Sequence, residues 1–440
     1  MNSYGKCRMK RADKSMAMVT GIVILVSLGS AFAQDWPQWR GPNRDGKLSG
    51  FTTPQSWPKE LTQKWKVPVG VGDSSPVLLG NKLYTFGRQE ANEVISCIDA
   101  VSGKFLWQEI YPAQFVVTGV SSRHPGTRSS PVVADGKLCV LGVGGILSCV
   151  DATSGKVLWR KQSAADYLDT PHQFESSMSP IVLDGMCIVY VGGKGQGAMV
   201  AFDLATGQAK WKYTGDAPAP SSPAIMNADG VRQIVTISEK QVIGVSLADQ
   251  MLLWQVPFKA RPVNTTTPVI DGQMVFVTGQ GMGTLAIKVA KKDGKFTAEP
   301  MWTNSDTQAG STFTTPVLRD GLLFGYAATK LLCLSAQTGK VLWADTVARG
   351  QSAAIVDVGS CLIALAVNGE LSVYLPSNKQ YIELAHYKVG DPEIWAHPVV
   401  SGKSIFVRDK EFGHGSEQGN TLLHPTNCHF RRNSCFDRLL

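Results

Sequence analysis

"DATSGKVLWR", residues 151–160, is one of four copies of a ten-residue phrase in this chain. The other copies are "DAVSGKFLWQ" at 99–108, "DLATGQAKWK" at 203–212 and "SAQTGKVLWA" at 335–344. In the phrase, Asp151 and Thr153 can bond the local backbone, Gly155 permits a left-handed turn, and Trp159 lies on a new strand. The repetition therefore predicts a turn between two strands that is used once per structural unit, and not a catalytic signature.

Each unit also begins with its own motif, Ser/Thr-Ser/Thr-Pro-Val or a close variant, before an Asp-Gly or Gly-Asn turn. Six clear starts occur at 74, 129, 178, 221, 266 and 314, and two weaker ones at 352 and 396. A period of about 40 to 50 residues is typical of propeller blades. Runs such as "MVFVTG" and "LCVLG" supply the β-branched residues of strands. Each unit is therefore predicted to contain four strands, and the eight starts predict eight units.

Large aromatic residues mark the fourth strand of successive units. A four-stranded sheet by itself exposes a face that only a similar neighbour can bury. A tryptophan, which buries about 150–250 Å², is a suitable anchor for each joint. The predicted blade joints are Trp65, Trp107, Trp159, Trp211, Trp254, Trp302 and Trp343, with Tyr387 in the seventh unit.

The two ends of the repeat predict how the ring closes. Trp65 in "TQKWKVPVG" resembles a fourth strand without its first three, and the eighth start lacks a fourth strand. An N-terminal strand that completes the last blade would remove the free edges of an open array. The predicted fold is an all-β, single eight-bladed β-propeller of four-stranded antiparallel blades over residues 61–410.

Two segments flank the predicted propeller. Residues 34–60 form an extension that we expect to pack on the ring, with Trp36 and Trp39 either buried there or exposed as a binding platform. Residues 411–440 show no alternation, which predicts an aberrant, disordered tail and an eighth blade that is short of a strand.

The first 33 residues have the pattern of a secretory signal peptide. A basic segment precedes the apolar run Met16–Leu28, and Ala31-Phe32-Ala33 is a cleavage motif. Its five basic residues and one acidic residue account for half of the formal net charge of +8. The rest of the chain carries no basic stripe, which excludes a nucleic-acid footprint. Cleavage near Ala33 would give a secreted or periplasmic protein that is peripheral to the membrane at most; an uncleaved N-terminal anchor is the alternative.

The cysteines are scattered among apolar runs, and none forms a Cys-x-x-Cys motif. We interpret them as buried hydrophobic residues. A Cys139–Cys149 bridge across a hairpin is the exception that an oxidising compartment would favour.

The repeated "DxxTGKxLW" phrases and "SSPV" starts resemble the pyrroloquinoline-quinone (PQQ)-like β-propeller repeat family over roughly residues 35–410. Its members include quinoprotein alcohol dehydrogenases and BamB-type outer-membrane assembly lipoproteins. "DWPQWRGPNRDG" at 35–46 is similar to the secreted, PQQ-binding-like branch. The resemblance implies the fold more specifically than an activity.

PQQ with calcium is the cofactor that the dehydrogenase members imply. Those enzymes use an Asp base, acidic and amide ligands for Ca²⁺, a Trp floor and a vicinal Cys pair, and this chain has no Cys-Cys sequence. The phosphate-loop, kinase, zinc-protease and Gly-x-Ser-x-Gly motifs are also absent from the sequence. We therefore expect no cofactor, no metal site and no catalytic residue, with a PQQ-dependent oxidoreductase as the alternative.

The loops that lead into each first strand gather at one end of a propeller channel, where ligands commonly bind. Several carry polar or aromatic residues suited to a ligand or partner. An ion pair of Arg123 or Arg128 with Glu175 or Glu393, or a satisfied core histidine at 397, is the structural alternative. The candidates are Arg123, His124, Arg128, His172, Glu175, Asn264, Arg349, Trp395 and His397.

These observations together predict an exported, monomeric binding or assembly scaffold of the cell envelope. Its partners would be envelope proteins or a small ligand at the channel mouth. A carbohydrate-linked envelope protein is a third possibility, for which the sequence supplies little.

Overall fold

The computed structural model describes residues 1, 34–48, 51, 53–54, 56–114, 123–162, 176–193, 195–306 and 309–417. All of these except Met1 belong to one compact unit, Ala33–Leu440. They form 32 β-strands in eight antiparallel four-stranded sheets. The predicted eight-bladed propeller is confirmed. Among the described residues, no helix is long and apolar enough to cross a membrane.

The first four blades follow the order of the chain, and neighbouring strands in each blade are joined by tight turns. Their strands are β2 (Val77–Leu79), β3 (Lys82–Gln89), β4 (Asn92–Asp99) and β5 (Phe105–Pro112); β6 (Val132–Ala134), β7 (Lys137–Leu141), β8 (Ile146–Asp151) and β9 (Val157–Gln162); β10 (Ile181–Leu183), β11 (Met186–Gly193), β12 (Gln196–Asp203) and β13 (Ala209–Gly215); and β14 (Ala224–Ala228), β15 (Val231–Ile237), β16 (Gln241–Ser246) and β17 (Leu252–Pro257).

Blades 5 to 7 repeat this order, and blade 8 takes its outer strand from the N-terminal side of the chain. Their strands are β18 (Val269–Asp271), β19 (Met274–Gly279), β20 (Gly283–Lys292) and β21 (Lys295–Asn304); β22 (Val317–Arg319), β23 (Leu322–Ala327), β24 (Lys330–Ser335) and β25 (Val341–Ala344); β26 (Ala353–Asp357), β27 (Leu362–Ala366), β28 (Glu370–Tyr374) and β29 (Glu383–Lys388); and β30 (Val399–Ser401), β31 (Ser404–Arg408), β32 (Phe412–Glu417) and β1 (Thr62–Pro68).

The first strand of each blade lies at the centre of the ring. First strands of neighbouring blades contact one another, as β2 contacts β6 and β22 contacts β26. The middle strands are almost fully buried, whereas the fourth strands alternate between exposed and covered residues, as in β5. Because side chains alternate across a strand, the buried faces pack between blades and the outer edges face solvent.

The Ser/Thr-Pro motif forms a belt of hydrogen bonds between blades. The residue before each proline donates its backbone N–H to the hydroxyl of the equivalent residue in the next blade, which satisfies both groups at the buried centre. These bonds run from Ser75 to Ser130 (2.9 Å), Ser130 to Ser179 (3.0 Å), Ser179 to Ser222 (3.0 Å), Thr267 to Thr315 (2.9 Å) and His397 to Ser75 (2.8 Å).

The fourth-strand tryptophans pack on the phrase of the next blade. Trp159 donates its indole N–H to the Leu204 carbonyl at 3.0 Å. A Cβ on Gly207 would lie 2.6 Å from the Trp159 ring, so only glycine fits there. The same donation joins Trp65 to Ala100 (3.0 Å), Trp107 to Ala152 (3.3 Å), Trp302 to Ala336 (3.0 Å) and Trp343 to Ser377 (2.7 Å).

Two tryptophans depart from this pattern, and in both cases the next blade lacks the phrase. Blade 4 has "SLADQ" at its third turn, and the buried Trp211 Nε1 has no partner. Blade 5 replaces the turn with the long hairpin of β20 and β21, and Trp254 donates instead to Gln233 of its own blade at 2.6 Å. In four blades the phrase therefore supplies the acceptor for the neighbouring tryptophan; blade 7 lacks the phrase, and Ser377 of its third turn supplies the acceptor instead.

The ring closes through β1, as the fold prediction states. Trp65 of β1 pairs with Gly415 of β32 in the antiparallel register that completes blade 8. The prediction that blade 8 is short of a strand is wrong, because Phe412–Glu417 forms β32 between β31 and β1. The predicted boundary at residue 410 ends the propeller too early. The glycines in "FGHG" interrupt the alternation of apolar and polar residues on which the prediction depended. The strand forms because it pairs with β31 on one side and β1 on the other.

The six described cysteines are all free and buried. Cys139 and Cys149 face each other across β7 and β8 as register partners, but no disulfide joins them. Cys428 and Cys435 lie outside the described residues.

Candidate functional site at the mouth of the ring

The N-terminal segment 34–48 fills the centre of the ring and hydrogen-bonds to every blade. Trp36, Arg40 and Arg44 are buried, so Trp36 is not an exposed platform. The blade partners, in order from 1 to 8, are Leu78, Val133, Ser179 with Pro180, Pro223, Thr267, Thr315 with Pro316, Asp357 and Ser401. We call residues 34–48 the plug.

Two buried arginines hold the plug. The Arg44 guanidinium donates to the carbonyls of Pro223 (2.8 Å), Pro180 (3.0 Å) and Ser179 (3.1 Å). Arg40 donates to Thr315 and Pro316 in the same way. Burial lowers the pKa of Arg40 to about 10 and that of Arg44 to about 9. Both remain cations at neutral pH, where their planar forks can satisfy several carbonyls at once.

Trp395 lies over the other end of the centre, in the loop that leads into blade 8. Its ring lies edge-on to Phe313, from the blade 6 loop, at 5.2 Å, and to His124, from the blade 2 loop, at 5.6 Å. Three loops that are distant in sequence thus meet at one half-buried indole. We call this surface the mouth.

His124 is held at the mouth between two carboxylates. Its Nδ1 lies 3.1 Å from Asp73 Oδ2, and its Nε2 lies 3.9 Å from Glu393 Oε2. Asp73 is itself fixed, since its N–H donates to the Thr127 carbonyl at 2.7 Å. Arg128 donates to the His124 carbonyl at 2.6 Å, and the Arg123 side chain is exposed on the rim.

Two of the predicted residues make structural contacts and are buried. Asn264 Oδ1 accepts from the Ala260 N–H at 2.8 Å, and its Nδ2 donates to backbone carbonyls, which closes the loop into blade 5. Arg349 is buried, pairs with Asp345 and lies 5.2 Å from the Tyr381 ring centroid.

His397 belongs to the centre of the ring below the mouth. Its ring lies 4.5 Å from that of Trp39 of the plug, and only 4% of the residue is exposed. Burial and the charge of Arg40 lower its pKa well below the ordinary histidine value, so the ring is neutral. His172 and Glu175 lie outside the described residues.

The blade 8 loops are supported by a second buried charged group. Arg408 donates to Gly70 and Ser74 of blade 1, and Asp409 Oδ2 lies 2.7 Å from His414 Nε2. Burial alone would raise the pKa of Asp409. The hydrogen bonds from His414 and from the amides of Phe412 and Glu411 outweigh it and lower that pKa.

The sequence candidates omitted two residues of the mouth, Asp73 and Phe313. Both lie in the loops that lead into a first strand, in "GDSSP" and "TFTTP". The rule that selected the other loops could have found them. Asp73 lies in the short loop "VGVGDSSP", and Phe313 is an apolar residue within the polar loop "SDTQAGSTFTTP".

A groove of about 260 Å³ opens at the opposite face, between blades 8 and 1. Trp65, Leu78, Val101 and Phe406 line it together with Ser416. It marks the joint where β1 closes the ring, since the same tryptophan contacts Gly103 of blade 1 there.

The family model described as "Outer membrane protein assembly factor BamB" matches residues 90–305 and 228–425 of this chain. The chain belongs to this family. BamB of Burkholderia pseudomallei is 24% identical over 367 residues, which cover 80% of this chain and 87% of that protein.

Solved structures place this BamB-family chain near two kinds of propeller. The quinohemoprotein alcohol dehydrogenase from Comamonas testosteroni aligns with a TM-score of 0.66 at 13% identity, covering 92% of this chain and 83% of that one. BamB from Moraxella catarrhalis aligns with a TM-score of 0.59 at 14% identity, covering 83% of this chain and 99% of that one. At these identities the likeness shows the shared fold alone.

Among the described residues at the centre of this BamB-family propeller, the side chains do not match those that would hold PQQ with calcium. Trp39, His397 and Arg40 occupy the centre of the ring below the mouth. Within the described ranges, no cluster of three His, Cys, Asp or Glu side chains is placed to hold a metal ion. In the described part of the mouth, Asp73 and Glu393 lie on either side of His124, whereas Ca²⁺ prefers acidic ligands that converge on one point.

Proposed function

We propose that this protein is an exported, non-catalytic propeller that acts as a binding or assembly scaffold in the cell envelope, with partner contacts at the mouth. The main support is the filled centre of the ring. Because the plug hydrogen-bonds to all eight blades, the mouth is a surface built from loops and not the opening of a channel. Such a surface suits contact with a macromolecule better than enclosure of a small substrate.

Two further observations support the envelope role. The BamB relatives are described as outer membrane protein assembly factors, and the alignment with the Burkholderia protein extends over most of both chains. The signal-peptide pattern in residues 1–33 is consistent with export. The partner would be an envelope protein, and the scaffold would work as a monomer without a cofactor.

Site-specific photo-crosslinking in cells tests the proposal. A photoreactive residue in place of Arg123, which is exposed on the rim, should capture a distinct envelope partner. The matched control replaces Leu158, which is 42% exposed on the outer strand of blade 2. The same weak products from both positions would contradict the scaffold role.

A PQQ-dependent oxidoreductase is the second candidate, because 164 residues of this chain are 25% identical to the quinohemoprotein alcohol dehydrogenase ADH-IIG of Pseudomonas putida. Purified protein should show no dye-coupled alcohol oxidation after addition of PQQ and Ca²⁺. Turnover that requires Ca²⁺ would overturn the scaffold proposal in favour of the enzyme.

A further inference from the structure

Two buried cysteines face each other directly within blade 2. Cys139 of β7 and Cys149 of β8 are register partners, and neither side chain is exposed. Side chains of directly opposed residues lie on the same face of a sheet. The two thiols therefore meet in the apolar core that blades 2 and 3 share.

The hydrogen bonds of this hairpin show which kind of opposed pair the cysteines form. The Gly142 N–H donates to the Ile146 carbonyl at 2.8 Å, and the Ala152 N–H donates to the Gly136 carbonyl at 2.9 Å. Opposed pairs in an antiparallel ladder alternate between hydrogen-bonded and non-hydrogen-bonded pairs. The cysteine pair lies three residues along the strand from each of these bonded pairs, so it is a non-hydrogen-bonded pair.

A non-hydrogen-bonded pair has the dimensions of a disulfide. Its Cα atoms are about 4.5 Å apart, and a disulfide joins Cα atoms about 4.4–6.8 Å apart. The bond therefore requires rotation of the side chains but no separation of the strands. The Cys139 thiol is close enough to raise the pKa of Cys149, and burial raises that pKa further.

Cys187 of β11 is a third thiol in this core, and it also lies beside Cys139. Its own register partners are Val182 and Phe202 of blade 3. The faces of packed sheets lie about 10 Å apart, whereas a disulfide joins Cα atoms at most about 6.8 Å apart. A bond within the blade 2 hairpin therefore fits better than a bond between blades.

We propose that Cys139 and Cys149 form a disulfide in the exported protein and so join β7 covalently to β8 beside the Trp159 joint. The structure shows the pair in its reduced form, as two free thiols. This inference rests on the export that the proposed function includes, because disulfides form and persist in oxidising compartments.

The oxidant is another disulfide, of a small molecule or of a thiol oxidoreductase. The two thiols lose two protons and two electrons, the new sulfur–sulfur bond forms, and the oxidant is reduced to two thiols. A buried thiol with a raised pKa contains little of the reactive thiolate. The exchange therefore takes place while the hairpin is still open to solvent.

Peptide mapping of the protein purified from the cell envelope tests the bond. Thiols are blocked with N-ethylmaleimide in denaturant without reductant, and the chain is then digested with trypsin. Both cysteines lie in the tryptic peptide 138–156, whereas Cys187 lies in 162–194. We expect peptide 138–156 to be unblocked and lighter by two hydrogen atoms than the dithiol. Cys97 and Cys333, which are equally buried but opposed to aromatic residues, are the controls and should be blocked.

A second sample separates the bond from the export. Reduced, purified protein is incubated with oxidised glutathione in urea just below its unfolding transition, where the chain opens and closes, and is mapped in the same way. Peptide 138–156 with both thiols blocked, or linked to 162–194, would overturn the inference and leave export untouched. A bond that forms here but is absent from the envelope sample would support the inference and contradict export.

Variants connect the bond to stability. The oxidised wild type should unfold at a higher urea concentration than the reduced wild type, because the bond restricts the unfolded chain. Cys187→Ser should keep this shift, and Cys149→Ser should lose it. A shift as large in Cys149→Ser as in the wild type would overturn the inference.

Discussion

At the scale of single residues, each blade joint depends on a few side chains. Trp159 is 7% exposed, packs on Gly207 and bonds the Leu204 carbonyl. Its ring thus connects the outer strand of one blade to the turn of the next. The same bond recurs at four other joints, and at three of them the phrase of the next blade supplies the acceptor.

We expect Trp159→Ala to lower the free energy of unfolding by about 3–5 kcal/mol, because it opens a cavity at the joint. Trp159→Phe keeps most of the volume and loses mainly the hydrogen bond, so it should cost about 1–2 kcal/mol. Urea denaturation measures both. A loss below about 1 kcal/mol for the alanine variant would mean that the ring does not hold the joint.

Asp409 should make the last blade sensitive to acid. Its pKa is lower in the folded protein than the ordinary value of 3.8, so its stabilisation is complete above that value and disappears as the pH falls below it. We expect the free energy of unfolding of the wild type to fall more steeply below pH 3.8 than that of Asp409→Asn. Asp391→Asn, at a largely exposed carboxylate, should follow the wild type.

At the scale of the structural element, the phrase is a turn that both ends a strand and receives a ring. Asp151 Oδ1 accepts from the amides of Thr153 (3.1 Å) and Ser154 (2.8 Å), which fixes the turn. Gly155 follows at φ 76°, and Trp107 of the previous blade covers it. A glycine is needed here for two separate reasons: the backbone has a positive φ, and a Cβ would collide with the Trp107 ring.

Two glycines of blade 2 can separate these reasons. A Cβ on Gly155 would lie 2.5 Å from the Trp107 ring, whereas one on Gly136, at φ 70°, would meet nothing within 4 Å. Gly136→Ala should cost about 1 kcal/mol from backbone strain alone. Gly155→Ala should cost about 1–3 kcal/mol more, because the ring must move. Equal losses in thermal or urea unfolding would show that the ring contact is unimportant.

At the scale of the whole molecule, two features join the eight sheets into one compact unit. The strand β1 joins the ends of the ring through β32, and the plug ties all the first strands together from the centre. A closed ring has no unpaired blade face at either end, and this protects it from the edge-to-edge association of open sheets.

Closure of the ring should depend on β32. Removal of residues 412–440 deletes the strand that pairs with both β31 and β1, so we expect a large loss of stability and exposure of the Trp65 joint. Removal of 418–440 keeps all of β32 and should preserve cooperative unfolding. Deletion of 61–70 should be as damaging as the longer C-terminal truncation. Mild damage from both would show that closure of the ring is dispensable.

The plug should contribute stability through Arg44. Arg44→Met leaves the carbonyls of Pro180 and Pro223 without their donor, and we expect a loss of about 2–5 kcal/mol in urea unfolding. Arg232→Met is the control, since that arginine pairs with Asp184 on the surface and should cost less than about 1 kcal/mol. Similar values for the two variants would mean that the plug is only loosely bound.

The repeat could be recognised in the sequence because each copy forms the same kind of turn, strand start and blade joint. Turn glycines, strand starts and fourth-strand tryptophans lie at nearly constant spacing, and from them the eight blades and the closing strand could be predicted. The strand β32 could not, because its glycines carry no alternation and its pairing with β1 joins residues far apart in the chain. Local pattern identifies elements, whereas long-range pairing can create one.

The sequence by itself determined the architecture of this protein, since periodic residues specify each sheet and the sheets can bury their faces only against one another. Only the tertiary structure decided what lies at the centre and at the mouth. Arg40 and Arg44 meet their carbonyls, and His124 meets Asp73 and Glu393, across more than fifty residues of chain or from separate blades. Such contacts depend on the closed ring bringing loop ends together, and no local spacing records that geometry.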